Sequence, residues 1–324
     1  MSTNQDETIQ GFWHDLERDG GDLDLWHIYC DYLEDQSHPQ WEVTRLWIHQ
    51  RASTLGQESR SRLGELLRKG ERPLLPRRVS SIGTELVLVP RGTFWMSEDE
   101  ENAQRQVTIE NDFYIGIYPV TQGEWTEIMG SNPSWFSRNG DGKDGVKEIS
   151  DEDLLRFPVE QVSWDDVQEF LKLLNKKESR GGLLFRLPSE SEWECTCRSG
   201  LASKQDCSYD FYLSEPTNDL SSDQANFDGN YPAGNAPEGD YLERPTEVGS
   251  YESNAVGVYD MHGNVWEWCE DLEGDSSHVY RGGCWDNSAG YCRASCRSWY
   301  SPGYRNRNLG FRLIAGLFRT GTGQ

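Results

Sequence analysis

From Leu86 onward, short apolar runs and turns alternate, and no run is long enough to make an extended strand. Leu86–Val89, Val107–Ile109 and Phe113–Ile117 read as short strands between turn residues. Helices interrupt them at Gly123–Met129 and at Ser163–Lys177. Ser163 caps the second of these, and Asp165-Asp166 set negative charge against its N-terminal dipole. A further helix begins at Pro188-Ser189 and carries Glu192-Trp193-Glu194. The regular strand–helix alternation of a doubly wound sheet is absent, so the expectation is an α+β domain rich in loops. The 13 Trp and 14 Tyr are too many for a disordered chain and predict a packed core.

The first 71 residues read differently. Apolar residues recur at helical spacing: Ile9, Phe12, Trp13, Leu16; then Leu25, Trp26, Tyr29, Tyr32, Leu33; then Val43, Leu46, Trp47. Asp19-Gly20-Gly21-Asp22 and Ser37-His38-Pro39 separate the helices, Asp22 or Asp24 caps the second, and a fourth runs near Ser59–Lys69. The four His here (His14, His27, His38, His49) form no His-x-x-x-His pair on one helical face, so they read as surface or packing residues. The Pro- and Arg-rich stretch at 72–83 reads as a linker to a domain at 84–318, with a tail at 319–324.

Against 31 basic residues stand 55 acidic ones, a net charge of −24. Nucleic acid and anionic membranes both require a basic face, so neither is expected as partner. No apolar run reaches membrane-spanning length and the amino terminus lacks a signal-peptide pattern, which reads as cytoplasmic. In that setting free thiols, or a metal or redox role, are expected of the eight Cys rather than a disulfide framework.

Seven motifs then occur in order. They are Leu86-Val87-Leu88-Val89-Pro90 with Gly92, Phe94 and Met96; Phe113-Tyr114 with Tyr118-Pro119-Val120-Thr121; Pro158-Val159 with Val162-Ser163-Trp164-Asp165-Asp166; and Arg186-Leu187-Pro188-Ser189-Glu190-Ser191-Glu192-Trp193-Glu194. Gly257-Val258-Tyr259-Asp260-Met261-His262-Gly263-Asn264-Val265-Trp266-Glu267-Trp268, Arg281-Gly282-Gly283-Cys284-Trp285 and Asn308-Leu309-Gly310-Phe311-Arg312 complete the series. Over residues 84–316 their order and spacing resemble the formylglycine-generating-enzyme (sulfatase-modifying-factor) family. The resemblance implies a loop-rich variant of the C-type lectin fold. The preceding helices, through Trp26, Tyr29, Asp31-Tyr32-Leu33-Glu34, Pro39, Glu42 and Arg45-Leu46, resemble the short repeat-companion module found ahead of many planctomycete domains.

Oxidases of this family convert a substrate Cys to formylglycine with O₂ and a Cu(I) ion held by two thiolates. Counted from Gly282-Gly283, the second of those Cys falls on Cys292 and the first on Asn287. An amide oxygen is a hard, neutral ligand and does not replace thiolate on Cu(I), so copper is not expected. Cys197 stands at one family disulfide position, but its partner position is Leu313. The function expected is therefore a non-oxidase protein- or ligand-binding module. The alternative is a formylglycine-type or related metal-dependent oxidoreductase using Cys292 with Cys284.

The resemblance also implies two calcium sites. Ca²⁺ takes about six to eight hard oxygens. One set is Asp260, Gly263, Val265 and Glu267; the other is Asn226, Phe227, Asp240 and Leu242. In each, two side chains and two backbone carbonyls would supply oxygen. An ion would also hold the Gly- and Asn-rich loop Asp228–Gly239.

Residues 285–308 mix aromatics with Gly, Ser, Asn and Arg, the composition of recognition surfaces. Lacking strand alternation or helical period, they read as exposed loops on a rigid fold. Tyr291, Arg293, Arg297, Trp299, Tyr300, Tyr304 and Arg305 are the expected contact residues for a protein or peptide partner, with Trp285 in the core.

Overall fold

A computed structural model describes residues 3–97, 103–179 and 182–317; the tail expected at 319–324 lies outside the described residues. Four helices lead: α1 Thr3–Arg18, α2 Leu23–Asp35, α3 Trp41–Arg51 and α4 Gln57–Arg68. Asp22 caps α2, its carboxylate accepting the N–H groups of Asp24 and Leu25. There follow β1 Arg77–Val79, β2 Glu85–Val89, β3 Gly92–Ser97, β4 Gln104–Ile109, β5 Phe113–Gly116, α5 Gln122–Met129, α6 Asp151–Leu154, α7 Trp164–Lys177, β6 Leu183–Arg186 and α8 Glu190–Cys197. The remainder holds the short strands β7 Phe211–Tyr212, β8 Pro216–Thr217, β9 Trp266–Glu273, β10 Ser277–Arg281, β11 Arg297–Tyr300, β12 Leu309–Phe311 and β13 Ile314–Leu317.

The expected helices form where the sequence supplies caps. Thr121, Ser163 and Ser189 each accept an N–H three residues on, while Glu124, Asp166 and Glu192 reach back, closing three capping boxes. Along α7, Val167, Phe170, Leu171 and Leu174 fall on one buried face. Phe170 stacks on Trp125 of α5 with centroids 5.2 Å apart.

Two sheets carry the domain. The five-stranded one, ordered β1-β2-β5-β13-β6, is antiparallel throughout. The four-stranded one, ordered β11-β10-β9-β12, is antiparallel except where β12 runs parallel to β9. The last long motif of the sequence thus returns β12 beside β9 and places Arg312 at the junction between the sheets.

Two expectations need correction. The stretch 72–83 is not a free linker. Arg77–Val79 is the edge strand of the larger sheet, because its backbone pairs with Glu85–Val87. Nor do the leading helices form their own core: Leu16, Trp26, Tyr29, Leu33 and Trp47 belong to one apolar cluster with Leu86–Val89, Ile115, Phe185 and Trp268. Trp47 Nε1 donates to Ser199 O at 3.2 Å, and Arg51 donates to Gly200 O and Arg91 O at 2.9 and 2.7 Å. These buried and part-buried polar groups are satisfied across the two segments.

Candidate functional site

The turn after β10 begins with two glycines in the left-handed region, Gly282 at φ 102° and Gly283 at φ 72°. A Cβ on Gly283 would stand 2.6 Å from Cys292 Sγ, so the pair of glycines is what allows Cys292 to lie against this backbone. Cys284 follows, donating its thiol to Asp286 Oδ1 at 2.9 Å and Asn287 Oδ1 at 3.0 Å. Cys284, Asn287 and Cys292 therefore converge on one buried turn.

Burial favours the thiol form at this turn. Cys284 and Cys292 have no solvent exposure, and burial pushes both thiols well above the usual range. Cu(I) selects thiolate sulfur. A Cu(I) ion here would have to displace both thiol protons, and Asn287 would offer it an amide oxygen that already accepts from Cys284. None of the eight Cys forms a disulfide with another described residue.

His262, which sequence reasoning passed over, ties the turn to the rest. Its Nε2 accepts the Tyr212 N–H at 2.8 Å, so Nδ1 carries the proton and donates to Cys292 O at 2.7 Å. Burial lowers its pKa to about 4, keeping the ring neutral. Only its place inside the Asp260–Glu267 motif hinted at it.

The expected calcium residues divide. Glu267 is spoken for: Arg312 Nη2 and Nε reach its two oxygens at 2.7 and 3.0 Å, and Trp193 Nε1 donates to Oε2 at 2.7 Å. Its charge is neutralised inside the protein, so it offers no spare charge to a cation. Asp260 differs. Its Oδ2 accepts the Gly249 N–H at 2.7 Å, it makes no ion pair among the described residues, and burial raises its pKa to about 6. Among the described residues no cation offsets that burial by an ion pair. Its backbone sits at φ 58°, which Asp tolerates better than most residues.

In the second set, Asn226 and Phe227 are buried while Asp240 and Leu242 are exposed. Asn226 donates its amide to Arg244 O and to Asn264 Oδ1, at 3.0 and 3.3 Å. The loop 228–239 holds itself through Gly239 N–H to Gly229 O at 3.0 Å and Asp228 N–H to Asn287 O at 2.8 Å. It does not require an ion for closure.

Of the expected contact residues, Tyr291, Trp299 and Tyr300 are 56%, 47% and 49% exposed. Tyr300 stacks on Tyr304 with centroids 3.8 Å apart. Trp285 is buried, as expected. The stretch is not all loop, however: Arg297–Tyr300 is strand β11, whose alternation is hidden because both faces carry large or charged side chains. The arginines are less available than expected. Arg297 pairs with Glu190 at 2.7 Å and Glu273 at 2.9 Å, and Arg305 with Asp166 at 2.7 Å. Arg293 donates Nε to Gly290 O.

Beside Trp285 lies a cation–aromatic stack the sequence did not reveal. The Arg307 guanidinium sits 5.1 Å from the Trp285 ring and 6.0 Å from Trp135. Glu160, fully buried beneath it, accepts the N–H groups of Trp135 and Phe136 at 3.0 and 2.8 Å and fixes that loop.

Fold and site together define a loop-rich α+β domain of the formylglycine-generating variant of the C-type lectin fold, preceded by helices. Residues 72–317 match the sulfatase-modifying factor enzyme 1-like domain family, and the chain belongs to it. It is 26% identical over 296 residues to the formylglycine-generating enzyme of Mus musculus, covering 72% of this chain and 75% of that one. It is 27% identical over 286 residues to the inactive C-alpha-formylglycine-generating enzyme 2 of Bos taurus, covering 72% and 89%. Among solved structures, Treponema denticola variable protein 1 superposes with a TM-score of 0.59 at 25% identity, over 75% of this chain and 99% of that one. Relatives named active and inactive are equally similar, so the decision rests on the residues at the turn.

Proposed function

We propose that this chain is a non-oxidase member of its family that binds a protein or peptide partner through the face around β11, with a calcium ion at Asp260 bracing the loops behind it. The observation that carries the reading is Asn287. Counted from Gly282-Gly283, it falls where the family resemblance puts one of the oxidase thiolates, and its oxygen accepts the Cys284 thiol at 3.0 Å. An exposed group of rigid aromatics on a well-braced sheet supports the binding half, because interface energy concentrates in Trp, Tyr and Arg. Calcium would supply charge to Asp260, with the carbonyls of Gly263 and Val265 as further oxygens.

A second reading, an oxidoreductase working through Cys284 and Cys292, rests on one observation: the Gly283 turn brings Cys292 Sγ against the backbone beside Cys284. It requires that a metal deprotonate both buried thiols.

The experiment is partner capture from the native host with wild type and with Trp299→Ala, Tyr300→Ala and Tyr304→Ala, each also melted. Captured proteins lost at an unchanged melting temperature support the face. Capture that survives all three changes sinks it.

A further inference from the structure

β11 is the outer strand of its sheet, and among the described residues β10 is its only ladder partner. Of its four residues, none has a backbone group bonded on the open side among the described residues. An outer strand with free N–H and C=O groups is a template for another strand, and proteins usually blunt such edges with proline, lysine or a bulge. β11 carries no proline, lysine or bulge, and its only protection is its four-residue length and the charge of Arg297: its sequence is Arg-Ser-Trp-Tyr, and its register against β10 is unbroken from His278↔Tyr300 to Arg281↔Arg297. Instead it ends on two half-exposed aromatics, Trp299 on one face and Tyr300 on the other.

Two arginines of this edge are held by carboxylates. Arg297 and Arg305 are matched by the carboxylates of Glu190, Glu273 and Asp166. Asp165, whose N–H bonds Pro302 O in the turn that follows β11, makes no ion pair among the described residues, nor does Asp275 in the β9–β10 turn. Arg293, like Asp165 and Asp275, makes no ion pair among the described residues. The net charge of −24 on the whole chain favours a cationic segment over an anionic one.

We propose that the open edge of β11 takes an extended, lysine- or arginine-bearing segment of a protein partner as a fifth strand of this sheet. Backbone pairing gives the segment its register, and alternate side chains rest on Trp299 and Tyr300. The proposal rests on the binding-face reading above and adds the mode and charge of what binds.

The probe is a short capped peptide of alternating lysine and valine, compared with the same peptide N-methylated at its central residues and with a glutamate–valine counterpart. Calorimetry gives affinity, and amide hydrogen exchange reads residues 297–300. The lysine–valine peptide is expected to bind and to slow exchange in β11, with N-methylation, charge reversal or Trp299→Ala each weakening it by about tenfold or more. Equal binding of the N-methylated or glutamate peptide overturns the proposal, as does no binding of the lysine–valine peptide at millimolar concentration. If these peptide results are negative while Trp299→Ala still abolishes partner capture, the face stands and strand addition is wrong. If capture ignores Trp299, Tyr300 and Tyr304, the face itself is wrong.

Discussion

Arg312 and Glu267 form a two-bond ion pair with side-chain exposures of 0% and 1%, bridging residues 45 positions apart. Its guanidinium also donates to Gly116 O and Tyr259 O, so it fastens β5, the Asp260 turn and β9 together. Removing Arg312 would leave Glu267 charged and dry. The expected cost of Arg312→Ala is about 3–5 kcal/mol by urea unfolding, since half of a broken buried pair remains as an unpaired charge. A loss below about 1 kcal/mol would mean that water reaches the pair and that it behaves as a surface bridge.

That pair also shows what the sequence could and could not convey. Helices with caps and a 3.6-residue period were legible, as at Ser163 and α7, because their causes are local. Commitments made across the fold were not: nothing local tells that Glu267 is neutralised by Arg312, that Arg297 is held by Glu190, or that His262 bonds Cys292 O. β11 was illegible for a different reason. A four-residue outer strand has too few positions to show a period, and its partner supplies the pairing.

Asp260 is the carboxylate of the first calcium set that remains available. Burial raises its pKa to about 6, the Gly249 N–H bond only partly offsetting the cost. In the folded state it keeps a proton that the unfolded chain releases near pH 4. Its stabilising contribution is therefore present below about pH 4 and is lost as pH rises through about 6. Bound calcium reverses this, because the cation favours the ionised form. In chelator, Asp260→Asn should remove part of the fall in melting temperature across that window. At neutral pH, calcium at a hundredfold excess over its dissociation constant should stabilise wild type by about 2.7 kcal/mol and Asp260→Asn by much less. A wild-type melting temperature indifferent to calcium would remove the ion from the proposal.

Copper provides a sharper test of the turn. With both thiols pushed up by burial and the third position an amide, tight Cu(I) binding is not expected. Competition against a Cu(I) chelator should leave the metal with the chelator. Asn287→Cys should raise the affinity by restoring the second thiolate. A one-to-one complex in wild type that is lost in both Cys292→Ser and Cys284→Ser would instead favour the oxidoreductase reading.

The leading helices should not come away from the domain. Trp47 lies fully buried in the shared cluster and donates to Ser199 O. Arg60 pairs with Asp206 at 2.5 Å, Arg78 with Glu17 at 2.7 Å, and Tyr114 donates its hydroxyl to Glu17 at 2.5 Å. A chain beginning at Val79 would uncover apolar residues of the shared cluster and remove the Trp47 and Arg51 donors from the Ser199 and Gly200 carbonyls. It should aggregate or melt without cooperativity. Trp47→Ala in the full chain should cost about 3–5 kcal/mol and keep a single unfolding transition, because the helices and sheets share one core. A soluble, cooperative chain starting at Val79 would show instead that the two parts fold separately and that their interface is dispensable.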